Sequence, residues 1–320
     1  MVIMESGTSG KEVFKRLYEG VSQVLDRVKF KYEAISFPVK HRERSIDVVA
    51  VSEEHGSLII RLKNTMQVNK NEAQDLVKSS LALNALPLVV SEMPEVFDNV
   101  IVEREGVYIV GLKTLQNIYS GKDELVTLYR KGELYVRVDS ESLSRRRSEL
   151  GYSLTSLSRL LNISRKTLEY YERRGGNVTV EVAEKLAATL GDDVVKTITP
   201  TDLRREFVTK ASREVVSEDV TTLKTNLRDL LKMGEGSIYE IRKSAPDYII
   251  KDDETLMTVD VTSSRKYGVR EILIKTHECV KFSTVTDVGV KIVADDSGKA
   301  KVIMDELSSL KRGNVEVIRV

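Results

Sequence analysis

The chain has 320 residues and a mass of 36.0 kDa, with 41% hydrophobic and 31% charged residues, which suits two or three globular domains with real cores. Its formal charge is only +1, so the molecule is not a polycation, and any attraction to nucleic acid has to come from a local patch. Cys279 is the single cysteine, which excludes an internal disulfide and a cysteine-built zinc site, and no apolar run reaches the ~18 residues of a membrane span.

The stretch 1–11 is too short and polar for a secretory signal, so an intracellular, cytoplasmic protein is expected. Apolar residues then recur at helical spacing in 11–28: Val13, Leu17, Val21, Val24, Leu25 and Val28. Short β-type runs follow at 34–39, 46–51 and 58–63, the last two joined by a turn around Gly56. A helix at 70–85, a strand at 87–90, a short helix near 94–98 and a strand at 107–112 complete a first α/β lobe. The span 122–138 reads as a hairpin around Arg130, Lys131 and Gly132.

Residues 140–191 change period. Ser140 or Ser142 can cap a helix that stops at Gly151, Ser153 caps a second over 154–161, and Ser164 caps a third over 165–173. A fourth helix starts at Thr179 and runs to about 190. Asn162 sits at the sharp turn between the second and third, where a left-handed backbone is required and Asn tolerates it. Leu157, Leu161, Ile163, Leu168 and Tyr171 face inward, with Leu143, Leu150, Val182, Leu186 and Leu190 completing one core. The other side of the third helix is polar and cationic.

The last block repeats the order of the first. A helix at 221–233 precedes strands at 237–242, 247–250 and 255–261, then a helix at 268–282, a strand at 288–293, a helix near 298–310 and a strand at 315–320. Asp47 and Asp247 each open a hairpin, as expected of an internal duplication. Cys279 lies at helical spacing from Ile274, Val280 and Phe282 and reads as a small core residue.

The string Ser164 to Glu172 resembles the recognition helix of the Cro/CI family, with a Ser cap, a Thr, an aliphatic residue and a Tyr-Glu pair at the family's spacings. Ser158 stands where that family usually has Ala, and Asn162 where it has Gly. The resemblance implies that Arg165, Lys166 and Tyr170 read base edges and that Ser164 and Thr167 touch phosphate. From 142 to 176 eight cationic residues, among them Arg145, Arg147 and Arg173, face three glutamates, a local charge of +5. Arg145, Arg147 and Arg173 are therefore candidates for phosphate contact.

The outer lobes resemble the PD-(D/E)xK nuclease-like fold, in which two carboxylates hold a divalent cation beside a lysine. The first lobe offers Asp47 and Lys63, but Arg61 fills the acidic slot, with Glu72 a possible helix-borne substitute. The second offers Asp247 and Asp260 with no lysine in the motif. Both lobes are thus expected to be inactive, with Asp47 and Lys63 ordinary polar residues at strand ends. His41, His55 and His277 look isolated, and no metal or other cofactor is expected.

The expected architecture is a multidomain α/β chain: a nuclease-like lobe at 1–120, a hairpin linker at 121–139, an all-α helix-turn-helix domain at 140–198 and a second lobe at 199–320. As a whole it resembles a family of archaeal helix-turn-helix transcriptional regulators. That resemblance implies a homodimer that binds duplex DNA through the major groove, without membrane attachment. A metal-dependent nuclease targeted by the central domain is the alternative.

Overall fold

The computed structural model describes residues 10–93, 97–120, 124–215, 236–251, 256–262, 268–294, 297–309 and 315–319. The expected helix at 221–233, most of the short helix near 94–98 and most of the link at 251–254 lie outside the described residues.

The first lobe runs α1 (Gly10–Arg27), β1 (Lys31–Ala34), β2 (Val48–Ser52), β3 (Gly56–Lys63), α2 (Lys70–Ala82), β4 (Ala85–Ser91), β5 (Val100–Arg104), β6 (Val107–Gly111) and α3 (Leu112–Ser120). Its sheet is mixed, because the β1–β2–β3 meander is antiparallel whereas β3, β4 and β6 run parallel with α2 as a crossover. The strand expected at 34–39 instead ends at Ala34, and a loop containing the cis Phe37–Pro38 bond follows. Alternate residues of the strands serve the two faces. Val48, Ala50, Leu58, Ile60 and Leu62 face the core that takes Leu17, Val21 and Val24 of α1, while Val49 and Ile59 face α2.

The hairpin β7 (Thr127–Arg130) and β8 (Glu133–Val138) is not a free linker. β7 pairs with β5 in parallel, and β8 carries two short strands of the next domain, β9 (Gly176–Thr179) and β10 (Val195–Lys196). One ten-stranded sheet therefore runs from the first lobe into the helical domain. That domain comprises α4 (Ser140–Glu149), α5 (Leu154–Leu161), α6 (Arg165–Arg174) and α7 (Val180–Leu190) around a core of Leu143, Leu157, Leu161, Leu168, Leu186 and Leu190. Val136, Val138 and Val178 from the strands complete this core, so the domain is not all-helical. Leu150, expected inside, is 55% exposed, since it lies at the free end of α4.

The next helix, α8 (Pro200–Val215), returns to the first lobe. Its Leu203, Phe207 and Ala211 are buried in the core that α1 also covers, which corrects the expected boundary at 199.

The second lobe contains β11 (Ser237–Glu240), β12 (Tyr248–Lys251), β13 (Leu256–Thr262), α9 (Val269–Thr286), β14 (Gly289–Ala294), α10 (Ser297–Ser309) and β15 (Val315–Arg319). Its order and senses repeat those of β1, β2, β3, β4 and β6: two antiparallel pairings followed by two parallel ones. Cys279 is fully buried in its core.

The two lobes share a core and reciprocal hydrogen bonds. Ile35 and Ile241, each just after the first strand of its lobe, lie in one apolar cluster with Leu76 of α2 and Phe282 of α9. Beside them the Ser36 N–H donates to Glu278 Oε2 of α9 at 2.7 Å, and the Arg242 N–H donates to Asp75 Oδ1 of α2 at 3.1 Å. Asp75 also accepts from the Lys243 N–H and the Ser45 hydroxyl, at 2.9 and 2.8 Å. Each lobe thus offers the same helix acid to the same loop of the other, which is the geometry of an internal two-fold.

Candidate nucleic-acid interface

Three caps set the helix-turn-helix. Asp139, and not Ser140 or Ser142, accepts from the Ser142 N–H at 2.9 Å; Ser153 accepts from Ser156 and Ser164 from Thr167, both at 3.0 Å. Each such cap contributes about 1 kcal/mol. Asn162 ends α5 at φ 54°, ψ 42°, the left-handed conformation needed to swing α6 across α5. Ser158 is buried, but its hydroxyl donates to the Thr155 carbonyl at 3.1 Å, so a hydroxyl is accommodated where a methyl is usual. The backbone between α6 and β9 also matters: Gly175 has φ +65°, and a Cβ on it would lie 3.0 Å from the Val138 carbonyl oxygen.

Only Leu168 of α6 is fully buried. Ser164, Arg165, Lys166, Tyr170, Arg173 and Arg174 are exposed and Thr167 is half-buried. Tyr170 is 52% exposed, far more than an aromatic held for packing. The expected reading residues thus share one solvent face. Ser164 and Thr167 are already joined by a 2.7 Å hydroxyl contact within the cap.

The three candidate phosphate arginines differ. Arg147 is largely buried and makes a two-pronged ion pair with Glu172, while also donating to the Tyr152 carbonyl at 2.8 Å. Its guanidinium ties α4 to α6, and the expected phosphate contact gives way to this internal role. Arg145 meets Asp193 at 2.9 Å and Arg173 meets Glu169 at 2.8 Å, both on the surface. Exposed pairs of this kind contribute ~0–1 kcal/mol, so either arginine can exchange its carboxylate for a phosphate at little cost.

The nuclease-like positions of the first lobe form a closed cluster instead of ordinary strand ends. Arg61 lies between Asp47 Oδ2 at 2.6 Å and Glu72 Oε1 at 2.7 Å, with Lys63 on Glu72 Oε2 at 2.6 Å. All but Lys63 are essentially buried. His41 joins them, its Nε2 lying 2.8 Å from Arg61 and 3.4 Å from Asp47. Burial alone would push the Asp47 carboxyl up, but the His41 hydrogen bond, the Arg61 charge and the Leu62 N–H outweigh it and hold it below the usual range.

A divalent cation does not fit this arrangement. Among the described residues Asp47 Oδ1 makes no hydrogen bond and has only Arg44 at 3.8 Å, yet the guanidinium of Arg61 already lies between the two carboxylates. Among the described residues no group of three His, Cys, Asp or Glu side chains could hold a metal ion.

The second lobe inverts the charges. Its strand register places Asp260 at the position of Arg61, because Tyr248 pairs with Val259 as Val48 pairs with Ile60. Lys275 precedes Glu278 by three residues, as Glu72 precedes Asp75, and its ammonium meets Asp247. The helix thus carries an acid in one lobe and a base in the other. Lys275 was invisible in the sequence because it lies 28 residues beyond Asp247, outside any hairpin motif.

The sequence matches the family described as PD-(D/E)XK superfamily domain over residues 14–124 and the one described as Helix-turn-helix over 143–191. A protein of Pyrococcus horikoshii named "Putative HTH-type transcriptional regulatory protein" is 30% identical over 237 residues, 73% of this chain and 72% of its own length. The chain belongs to that family of HTH-type transcriptional regulatory proteins. Two relatives from Saccharolobus islandicus strains, of the same name, are 29% identical over 91% of both chains. No solved structure matches.

Coverage of 91% means that these two relatives align with this chain across both lobes as well as the central domain. Among the described residues no helix is long and apolar enough to cross a membrane.

Proposed function

We propose that this regulator binds double-stranded DNA sequence-specifically by placing α6 in the major groove, as a homodimer reading a roughly palindromic operator. The observation that carries this is the exposed face of α6. Arg165, Lys166 and Tyr170 project from a helix whose other side is fixed by Leu168, the Ser164 cap and the Arg147–Glu172 pair. A helix fixed in this way presents its Arg and Lys donors at one face, from which they can reach guanine O6 and N7. Two such helices in a dimer would meet successive major-groove faces ~34 Å apart. Arg145 and Arg173 supply phosphate contacts at the flanks, and the proposed role of Arg147 is to orient α6.

The test is selection of bound genomic duplexes at moderate salt, followed by titration of the selected fragment. Arg165→Ala or Tyr170→Ala should cost about 1–3 kcal/mol and relax specificity at one base position. Unchanged affinity in both variants would show that the reading face lies elsewhere.

A second reading, a nuclease targeted by the central domain, is favoured by one observation: Asp47, Glu72 and Lys63 lie in one cluster. Arg61 within that cluster argues against it. Cleavage of duplex or branched DNA with Mg²⁺ or Mn²⁺ that vanishes in Asp47→Ala would establish this reading in place of a purely regulatory one.

A further inference from the structure

Beside α6 lies an open cleft of about 1030 Å³ whose opposite wall is α8. Lys166, Tyr170, Arg173 and Arg174 line it from α6, and Arg205 and Lys210 from α8, whereas Arg165 is not among its lining residues. We propose that this cleft seats one sugar–phosphate strand of the same duplex whose major groove receives α6, so that α8 is a second DNA-binding element. The inference rests on the major-groove reading above and adds a contact that a helix-turn-helix alone does not make.

The chemistry of the lining favours a polyanion chain. No aliphatic side chain lines the cleft among the described residues, whereas pockets for small organic ligands are mostly apolar. Seven of the lining side chains are cationic and two are acidic. Both acids are already engaged: Asp202 meets Arg137 at 3.2 Å, and Glu206 meets Arg130 and Lys210, each at 2.7 Å. Lys166, Arg174 and Arg205 are exposed and have no ion-pair partner among the described residues. With Lys166 assigned to base edges, Arg174 on α6 and Arg205 on α8 remain as phosphate donors on the two walls.

The walls are also held at a fixed spacing. α8 buries Leu203, Phe207 and Ala211 in the first-lobe core, which turns Arg205 and Thr209 outward. At the floor, Asn177 of β9 donates to Glu206 at 2.9 Å, and Arg137 of β8 holds Asp202. The strands that carry α6 are thereby fastened to α8, so strand entry requires no closure and no ordering of a loop. A backbone seated here would set the angle at which α6 enters the groove.

The experiment is a titration of the full chain with the selected duplex and with an unrelated duplex across a series of salt concentrations. Arg205→Ala should weaken binding to both duplexes alike by about 3–10-fold and lower the slope of log K against log salt by about one, with Arg205→Lys restoring most of the loss. Unchanged affinity and slope in Arg205→Ala, with Lys166→Ala still weakening binding, would overturn the role of α8 and leave the α6 reading intact. No effect from either change would overturn both. Loss of inorganic triphosphate binding in Arg205→Ala with duplex affinity unchanged would make the cleft a small-anion site and also overturn the proposal.

Discussion

Arg61 sits where active nuclease-like sites need negative charge, and its fixed cation bridges two buried carboxylates, with Lys63 as the second cation on Glu72. Removing it leaves Asp47 and Glu72 buried without their central partner. Arg61→Ala should therefore destabilise the first lobe by about 3–5 kcal/mol, measured as a lower midpoint of urea unfolding. A loss under ~1 kcal/mol would mean that the cluster is solvated and not a structural lock. Asp47 adds a pH signature. Its folded pKa lies below the ordinary 3.8, so its stabilising contribution is complete above that unfolded value and is lost as pH falls through the depressed one. Asp47→Asn, which cannot titrate, should unfold with a shallower acid dependence below about pH 4 than the native chain. Equal acid slopes would place the titrating group elsewhere.

At the scale of elements, the helix-turn-helix was legible because capping, a left-handed Asn and helical spacing act locally, within a few residues of one another. Ser153, Asn162 and Ser164 occupy the places their chemistry implied. What local signals could not show was long-range pairing. Short polar strands such as β9, with Gly176 and Asn177, have no periodicity to detect and form only because β8 offers an open edge. The expected boundary at 199 puts the span of α8 in the second lobe, because an apolar stripe fixes which side of a helix is buried but not against which lobe. Phe207→Ala should cost about 3–5 kcal/mol, because the ring is 3% exposed in the first-lobe core. Hydrogen exchange should show the loss of protection in β4 and α1. Loss confined to 237–319 would contradict the placement of α8.

For the molecule as a whole, the duplication read from element order reappears as two sheets of the same sense and register, with Asp75 and Glu278 exchanged across the lobe contact. The functional clusters diverged within that frame, which is why a motif search of either lobe finds it incomplete: the missing acid and the missing base each stand on a helix, as Glu72 and Lys275. A continuous sheet then links the first lobe to the central domain, so a shift in the lobes can reach α6 through β8 without a flexible joint. In the proposed complex α6 enters the major groove, and guanine N7 lies only there. Methylation interference on the selected operator tests it most directly. N7 methylation at specific guanines should block binding by the native chain, and Arg165→Ala or Lys166→Ala should become insensitive at one of those guanines. Interference confined to minor-groove positions, with N7 methylation tolerated throughout, would contradict it.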